Sequence, residues 1–512
     1  MSVPLGRSTA GVYVVVAALY LLAFPYHPRL RSPNELCRLW QTRALVDHGT
    51  LSINQTLREH GYVGDLSVKD GRYYPSKAPL LSFAAVPVYA ALKALRGGPV
   101  TELPLVYFSR LFLTVLPTLG MLVLLRRFLA SHLAAALADV LTVTYALGSL
   151  AFSYSLLFMS HQTTAVLLFT GFYALWRVGR GEWGRTGHVV AGACAGATVA
   201  AEYTGALGVL GLALYGTLAV LAGPREERAR RLAQGFGLAV LGALPFVAAL
   251  MLYHQAAFGH PLASGYQYLN DRAYQPWHLG GFLGIRYPDP RALALSFFSP
   301  LRGLFMLSPF LLLGVAGLGM RKAQDERAIF VSSAVLLAGY TYFTAAFSYD
   351  SWGWTTGPRH LTGLVPFLML PAGRALERFR WGVGLCVASV ALTGLATLVN
   401  YIPDDVSNAV VGLALPLLQR GYFPATVATF LGLPNAVGGC LLLVGLAAAL
   451  AWMALTLRAG GRAVLACGLV VALHVLSFQH HRADEGARTF LESQWLVPPG
   501  TRLDFWASRL RE

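Results

Sequence analysis

The sequence predicts an all-α polytopic membrane protein, and three observations predict it. Hydrophobic residues make up 55% of the 512-residue chain and charged ones only 12%. Apolar runs long enough to cross a bilayer recur from Val12 to near the C-terminus. Basic residues gather in short clusters between those runs, at 126–127, 177–185, 225–231, 321–322, 374–380 and 458–462, which is the pattern of cytoplasmic loops. The net charge of +16 therefore needs no nucleic-acid partner. Five cysteines, at 37, 194, 386, 440 and 467, lie mostly inside apolar runs with no close pair, giving neither a zinc spacing nor a disulfide framework.

The first run, GVYVVVAALYLLAF, is followed by Pro25, Tyr26 and His27 rather than by a small-residue cleavage site, so it reads as a retained span. With the basic clusters inside, spans fall near 11–26, 104–125, 133–152, 161–177, 189–203, 205–222, 233–253, 299–319, 328–346, 360–375, 381–400, 435–457 and 463–478. That is about thirteen, with the N-terminus inside. The segment 79–96 is apolar enough to be a fourteenth, but counting it would put every later basic cluster on the wrong side. Holding Pro79 and Pro87 and ending in Lys93 and Arg96, it fits a helix lying in the outer interface. The long loops then all face outward, at 27–103, 254–298, 347–359 and 401–434, with a tail from 479 to 512. They are rich in Tyr, Trp, His, Asp and Arg, as in FGHPLASGYQYLNDRAYQPWH, and read as the walls of a site.

The first external loop carries the chemistry. Glu35 sits in SPNE, three residues after Ser32, and its plain reading is the acid of a capping box at a helix start. Lys77, in YYPSKAPLL, introduces the apolar segment alongside Tyr73, Tyr74 and the acids Asp65 and Asp70. A lone lysine there either snorkels as an anchor or, as a compact point charge, pairs with the phosphate of a lipid headgroup.

In order, an acid just after the first span, then G-D-x-x-x-x-D-G-R-Y-Y, then K-A-P-L-L, resembles the first external loop of the GT-C membrane glycosyltransferases. The nearest branch holds the protein O-mannosyltransferases and the lipid A aminoarabinose transferase. GPRHLTGLVPFLMLP is similar to that family's Arg-Tyr-Leu-x-Pro-x-x-Pro stretch. The likeness is close over the first loop and looser over the rest. It implies a GT-C catalytic domain over 1–478, with juxtamembrane helices in the first periplasmic loop and an external tail over 479–512. It further implies a polyprenyl-phosphate-linked sugar bound at the outer face of a bacterial cytoplasmic membrane. A first-loop acid would activate the hydroxyl of an extracytoplasmic acceptor, with inversion at the sugar carbon. The family usually has Asp-Glu where this chain has Asn34-Glu35, so the aspartate most often given the catalytic role is missing. Either Glu35, the favoured choice, takes over as base, or Asp65 does, or the frame is shifted and another acid serves.

The residues support the same direction. No P-loop is present, and nucleotide sugars are made inside the cell, so an outward-facing transferase needs a lipid donor. Displacing polyprenyl phosphate from a sugar needs a base for the acceptor proton and cations for the departing phosphate. Lys77 and Arg359, the latter in TTGPRHL, are the candidates for the phosphate; the plain reading of Arg359 is a membrane-edge anchor. Tyr74, His161, Glu202 and His360 are candidates to touch substrate. His161 in FMSHQTT has a helix-start hydrogen bond as its plain role, and Glu202, at a turn between two short spans, is costly at that depth unless it faces a cavity or a partner. The loop 254–298 reads as a lid over the donor, against the plainer reading of membrane-belt aromatics. Asn54-Gln55-Thr56 matches a glycosylation sequon, which carries little weight without a eukaryotic secretory context.

Asp65, Asp70, Asp350 and Asp404-Asp405 are available to a divalent cation, Mg or Mn, but no spacing requires one, so no obligate metal is predicted. Two rivals remain. A lipid or solute transporter would also be polytopic and basic inside, but no clear internal repeat marks one, and the polar residues concentrate in the external loops. A ligase using a lipid-linked oligosaccharide would share the external site. Sugar, acceptor and oligomeric state are not written in the sequence.

Overall fold

Proline and glycine decide where the apolar runs stay helical. The computed structural model describes residues 7–27, 32–281, 284–347, 353–478 and 482–501. Among them, six helices are long and apolar enough to cross a membrane: Glu102–Ala130, Tyr203–Leu221, Arg225–Phe258, Gln324–Ala346, Arg380–Val399 and Asn435–Thr456. Shorter apolar helices run over Thr9–Leu22, Ala135–Gly148, Ala409–Gln419 and Gly461–Ser477. The chain is a multi-pass helical membrane protein.

Three predicted spans are not continuous helices: the run 133–152 is interrupted at Ser149, in extended backbone between Ala135–Gly148 and Leu150–Ser155, and two others break near prolines. The run 299–319 forms only Leu304–Leu307 and Leu311–Gly317, broken at Ser308-Pro309. The run 360–375 begins with tight turns over Arg359–Gly363 and Val365–Leu368 before the helix Met369–Arg378. Pro309, Pro358, Pro366 and Pro371 remove backbone donors in these stretches. Irregular backbone at membrane depth survives only when protein buries it, and Leu307, Phe310, Leu361, Leu364 and Leu368 have no exposed surface. Ser389 and Thr393 of the helix Val383–Val399 satisfy the broken backbone, Ser389 Oγ accepting from Phe310 N (3.0 Å) and Thr393 Oγ1 donating to Leu307 O (2.7 Å).

Small residues set the closest helix pair. Arg185–Ala201 packs on Arg228–Phe258 so tightly that a Cβ on Gly192 would lie 1.8 Å from Ala239 O, and one on Gly242 would lie 2.1 Å from Val189 O. Without a hydrophobic force between helices in lipid, such close backbone approach supplies the packing energy.

The segment 79–96 forms two short helices, Leu80–Ala84 and Val86–Arg96. The longer has 11 residues, about 16 Å at 1.5 Å per residue, too short to span. A two-stranded antiparallel hairpin, β1 (Leu66–Lys69) and β2 (Arg72–Pro75), is an addition to the all-α expectation. Its turn is Asp70-Gly71, both at positive φ (51° and 72°), the signature of a two-residue hairpin loop. A cluster including Trp40, Leu66, Tyr89 and Phe158 seats the first loop on the membrane helices.

The segment 401–434, expected as loop, holds a helical stretch from Ala409 to Gln419, most of it buried. The chain end docks upon it. Asp484 accepts from Ser407 N and Oγ (both 2.7 Å), and Arg488 donates to Gly412 O (3.1 Å).

Candidate functional site

The hairpin turns the spacing of the first-loop motif into a contact. Leu66 pairs with Pro75 in the register, and Ser76 N donates to Asp65 O (2.8 Å). Asp65 and Lys77, apart in sequence, therefore flank the open end of the hairpin, with Lys77 Nζ 3.0 Å from Asp65 Oδ1. Their side chains retain 32% and 11% exposure, so the pair is partly open. Burial works to raise the Asp65 carboxyl, but the charges of Lys77, Arg359 and Arg38 outweigh it and hold the group below the usual carboxylate range. Burial opposes the Lys77 charge, and the Asp65 carboxylate overcomes it, leaving the ammonium more firmly protonated than a free lysine.

The loop after Phe258 leans on this hairpin. Ser67 Oγ donates to Gly265 O (2.7 Å) and Asn270 N to Leu66 O (2.8 Å). A side chain at Gly265 would meet Ser67 and Ser76 at 2.9 Å, so the approach requires glycine. Tyr266 is thereby placed with its ring 5.4 Å from Lys77 Nζ and stacked on His278, with ring centroids 4.2 Å apart. Burial and the nearby Lys77 lower the His278 pKa to about 4.

A small cleft of about 10 Å³, room for about one water, is lined by His161, Thr164, Glu202, Thr204, Gly205, Tyr340, Arg359, His360 and Gly363. Arg359 links the two regions, lining the cleft while its charge acts on Asp65 and Lys77. The His161 and His360 rings stand perpendicular, 5.2 Å apart, with Phe343 and Phe347 beside His360. His161 Nε2 and Arg359 Nε are buried without a hydrogen-bond partner among the described residues. Four of the candidates, His161, Glu202, Arg359 and His360, thus meet in one cleft beside the Asp65–Lys77 pair.

Two candidates lie elsewhere. Tyr74 is buried in β2, its ring 5.5 Å from that of Phe258, in a small apolar cluster with Tyr253 and Ala257. Glu35 is 3% exposed and fully engaged. Arg110 Nε and Nη2 hold its two oxygens at 2.8 Å each, Phe158 N donates at 2.6 Å and Tyr401 Oη at 3.4 Å. Ser32 makes no side-chain cap on this helix, so the capping box is not what uses Glu35 either.

Sequence reasoning passed over Arg38 and Arg110. Arg110 lay inside the predicted span 104–125, and an ionisable residue in a span signals a partner. Arg38 is 1% exposed in the helix Pro33–Arg43, donating to Asn34 O (2.7 Å), to Asn34 Oδ1 and to Ser160 Oγ (3.1 Å).

Among the described residues no group of three or more His, Cys, Asp or Glu is arranged to hold a metal. Asp70 sits in the hairpin turn, Asp404 pairs with Arg302, and Asp350 lies outside the described residues.

No family model matches the sequence, and no curated protein matches it. Solved structures do. ArnT from Cupriavidus metallidurans bound to undecaprenyl phosphate superposes with a TM-score of 0.50 and 16% identity, over 90% of this chain and 77% of that one. The arabinosyltransferase EmbB from Mycobacterium smegmatis gives 0.47 and 14%, over 93% of this chain and 40% of that one. These are membrane proteins of the GT-C superfamily, and the fold of this chain is the GT-C fold.

Proposed function

We propose that this GT-C-fold protein is a membrane glycosyltransferase that moves a sugar from a polyprenyl-phosphate donor to an extracytoplasmic acceptor hydroxyl, with Asp65 as the base. The observation that carries the reading is the Asp65–Lys77 pair, 3.0 Å apart and partly open, beside the Arg359 cleft. The likeness to ArnT bound to undecaprenyl phosphate supports the donor class, and the outward loops that build the site support action at the external face of a bacterial cytoplasmic membrane.

In the proposed reaction the acceptor oxygen attacks the anomeric carbon, the bond from that carbon to the phosphate oxygen breaks, and its electron pair leaves with the phosphate. The acceptor proton passes to Asp65, and the sugar carbon inverts. Lys77, Arg359 and Arg38 stand against Asp65 and Glu202, which leaves the region net positive and suited to a phosphate. Asp65 in its pair with Lys77 is ionised but weakly basic. A donor phosphate drawing on Lys77 relieves that hold, so Asp65 becomes a better base when substrate is bound. Glu35, with both oxygens held, fastens the helix Pro33–Arg43 to Arg110 instead.

General-base assistance contributes ~10²- to 10⁴-fold, and one preorganised charge-stabilising donor ~10²- to 10³-fold. The test is transfer in nanodiscs from radiolabelled polyprenyl-phosphate monosaccharides to an envelope extract. Asp65→Asn, shown to be folded, is expected to lose at least ~10²-fold. Movement of the lipid across the bilayer with no sugar transfer by the wild type would overturn the enzyme reading in favour of a transporter.

A further inference from the structure

Arg38 is a cation with 1% of its surface exposed, and a charge so enclosed needs a compensating one. Its immediate hydrogen-bond partners are neutral: Asn34 through its main-chain oxygen and Oδ1, and Ser160 Oγ at 3.1 Å. The Ser160 hydroxyl has one proton to give, and it goes to Glu202 Oε2 at 2.6 Å. Accepting from a guanidinium and donating to a carboxylate, that hydroxyl is polarised in one direction. Thr204 Oγ1 donates to the other Glu202 oxygen at 3.3 Å, and His161 Nδ1 stands 4.0 Å from Oε2. Glu202 is itself 8% exposed, in extended backbone between the helices Arg185–Ala201 and Ala206–Leu221. An acid at that depth is expensive; through Ser160 it offsets the Arg38 charge, alongside the Asp65 carboxylate on which Arg38 also acts.

We propose that Glu202 is a positioning residue that, through Ser160, supplies the counter-charge Arg38 lacks at Asn34 and so holds the Arg38 guanidinium toward the Asp65–Lys77 pair. The relay ties the first external loop to the head of the helix Ser160–Gly179 and to the break after Ala201. Asn34 Oδ1 already touches Arg38, so an aspartate of the same shape there would neutralise Arg38 directly and make Glu202 dispensable. What Arg38 does with its charge rests on the proposed function; the relay does not.

The experiment compares Glu202→Gln, Asn34→Asp and the double variant by thermal unfolding in nanodiscs and by transfer from polyprenyl-phosphate monosaccharides. Glu202→Gln is expected to lower the unfolding midpoint and to cut kcat by roughly tenfold or more, with donor KM changed less. Asn34→Asp in the same chain is expected to restore both midpoint and kcat, while giving no gain by itself. Additive losses in the double variant, or a Glu202→Gln protein identical to wild type, would overturn the relay. If Glu202→Gln does not fold, Ser160→Ala with and without Asn34→Asp asks the same question, with the same recovery expected. If the wild type transfers no sugar, the proposed function fails, and recovery of the midpoint still decides the relay.

Discussion

Replacing Glu35 by Gln separates a structural acid from a catalytic one. The Glu35 and Arg110 side chains are each 4% exposed and joined by two bonds of 2.8 Å. Removing one partner of such a buried pair leaves the other charge uncompensated, which costs about 3–5 kcal/mol. Glu35→Gln is therefore expected to lower the unfolding midpoint in nanodiscs. Once assayed below that midpoint, it should keep kcat/KM within about tenfold of wild type, short of the ~10²-fold expected for losing a base. Arg110→Met should be similarly destabilised. The double variant Glu35→Gln/Arg110→Met should recover part of the loss, because no unpaired charge remains, with a coupling of about 0.5–3 kcal/mol. Asp65→Asn should show the reverse profile, a lost rate with little change in midpoint. A Glu35→Gln protein with the wild-type midpoint and a ~10²-fold lower kcat would refute this reasoning and return the base to Glu35.

Three further outcomes are expected. Because the Asp65 pKa is depressed in the folded protein, its contribution to stability is present above the ordinary carboxylate pKa and lost only as pH falls through the lower folded value; kcat/KM should show no Asp65 limb between pH 8 and 5. His278 is held at about 4 against about 6.5 unfolded, so the unfolded loop gains a proton first, and the hold of the 259–281 segment should weaken as pH falls from about 6.5 to 4. Proteolysis of that loop across this range checks it, and His278→Phe should remove the dependence while keeping the stack on Tyr266. Gly192→Val places a branched side chain where a Cβ alone would lie 1.8 Å from Ala239 O; folded yield in detergent should collapse, whereas Gly237→Ala, with nothing within 4 Å, should be tolerated.

What was legible in the sequence follows from which interactions are local. The polytopic helical class was readable because apolar length and basic loops act along the chain, whereas the hairpin at Asp70-Gly71, which brings Asp65 to Lys77, was passed over although the Asp-Gly pair is a turn signal. The broken runs at 299–319 and 360–375 were signalled by Pro309, Pro358 and Pro366, but hydropathy masks breaks that a buried environment satisfies. Arg110 was visible as a charge inside a span. Its partner was not, since the Glu35–Arg110 contact joins residues 75 apart. The Arg38–Ser160–Glu202 chain joins residues 122 and 42 apart, and spacing carries no trace of it.

The two acids of the first loop show why environment rather than position assigns their roles. Glu35 stands where the resemblance led one to look, yet four donors saturate its oxygens in a place with almost no solvent, so giving it a proton would mean breaking a fork that the fold depends on. Asp65 has a lysine ammonium as its ion-pair partner and keeps a third of its side chain open. A Lys contact is a point charge that a phosphate can draw away, whereas the Arg110 fork is a planar, bidentate fit that a carboxylate does not readily leave. Under the proposed function, the Asp65 pair is the one that could open and reform on each turnover without dismantling the helix Pro33–Arg43, and that difference in reversibility is the argument for proposing Asp65 as the base.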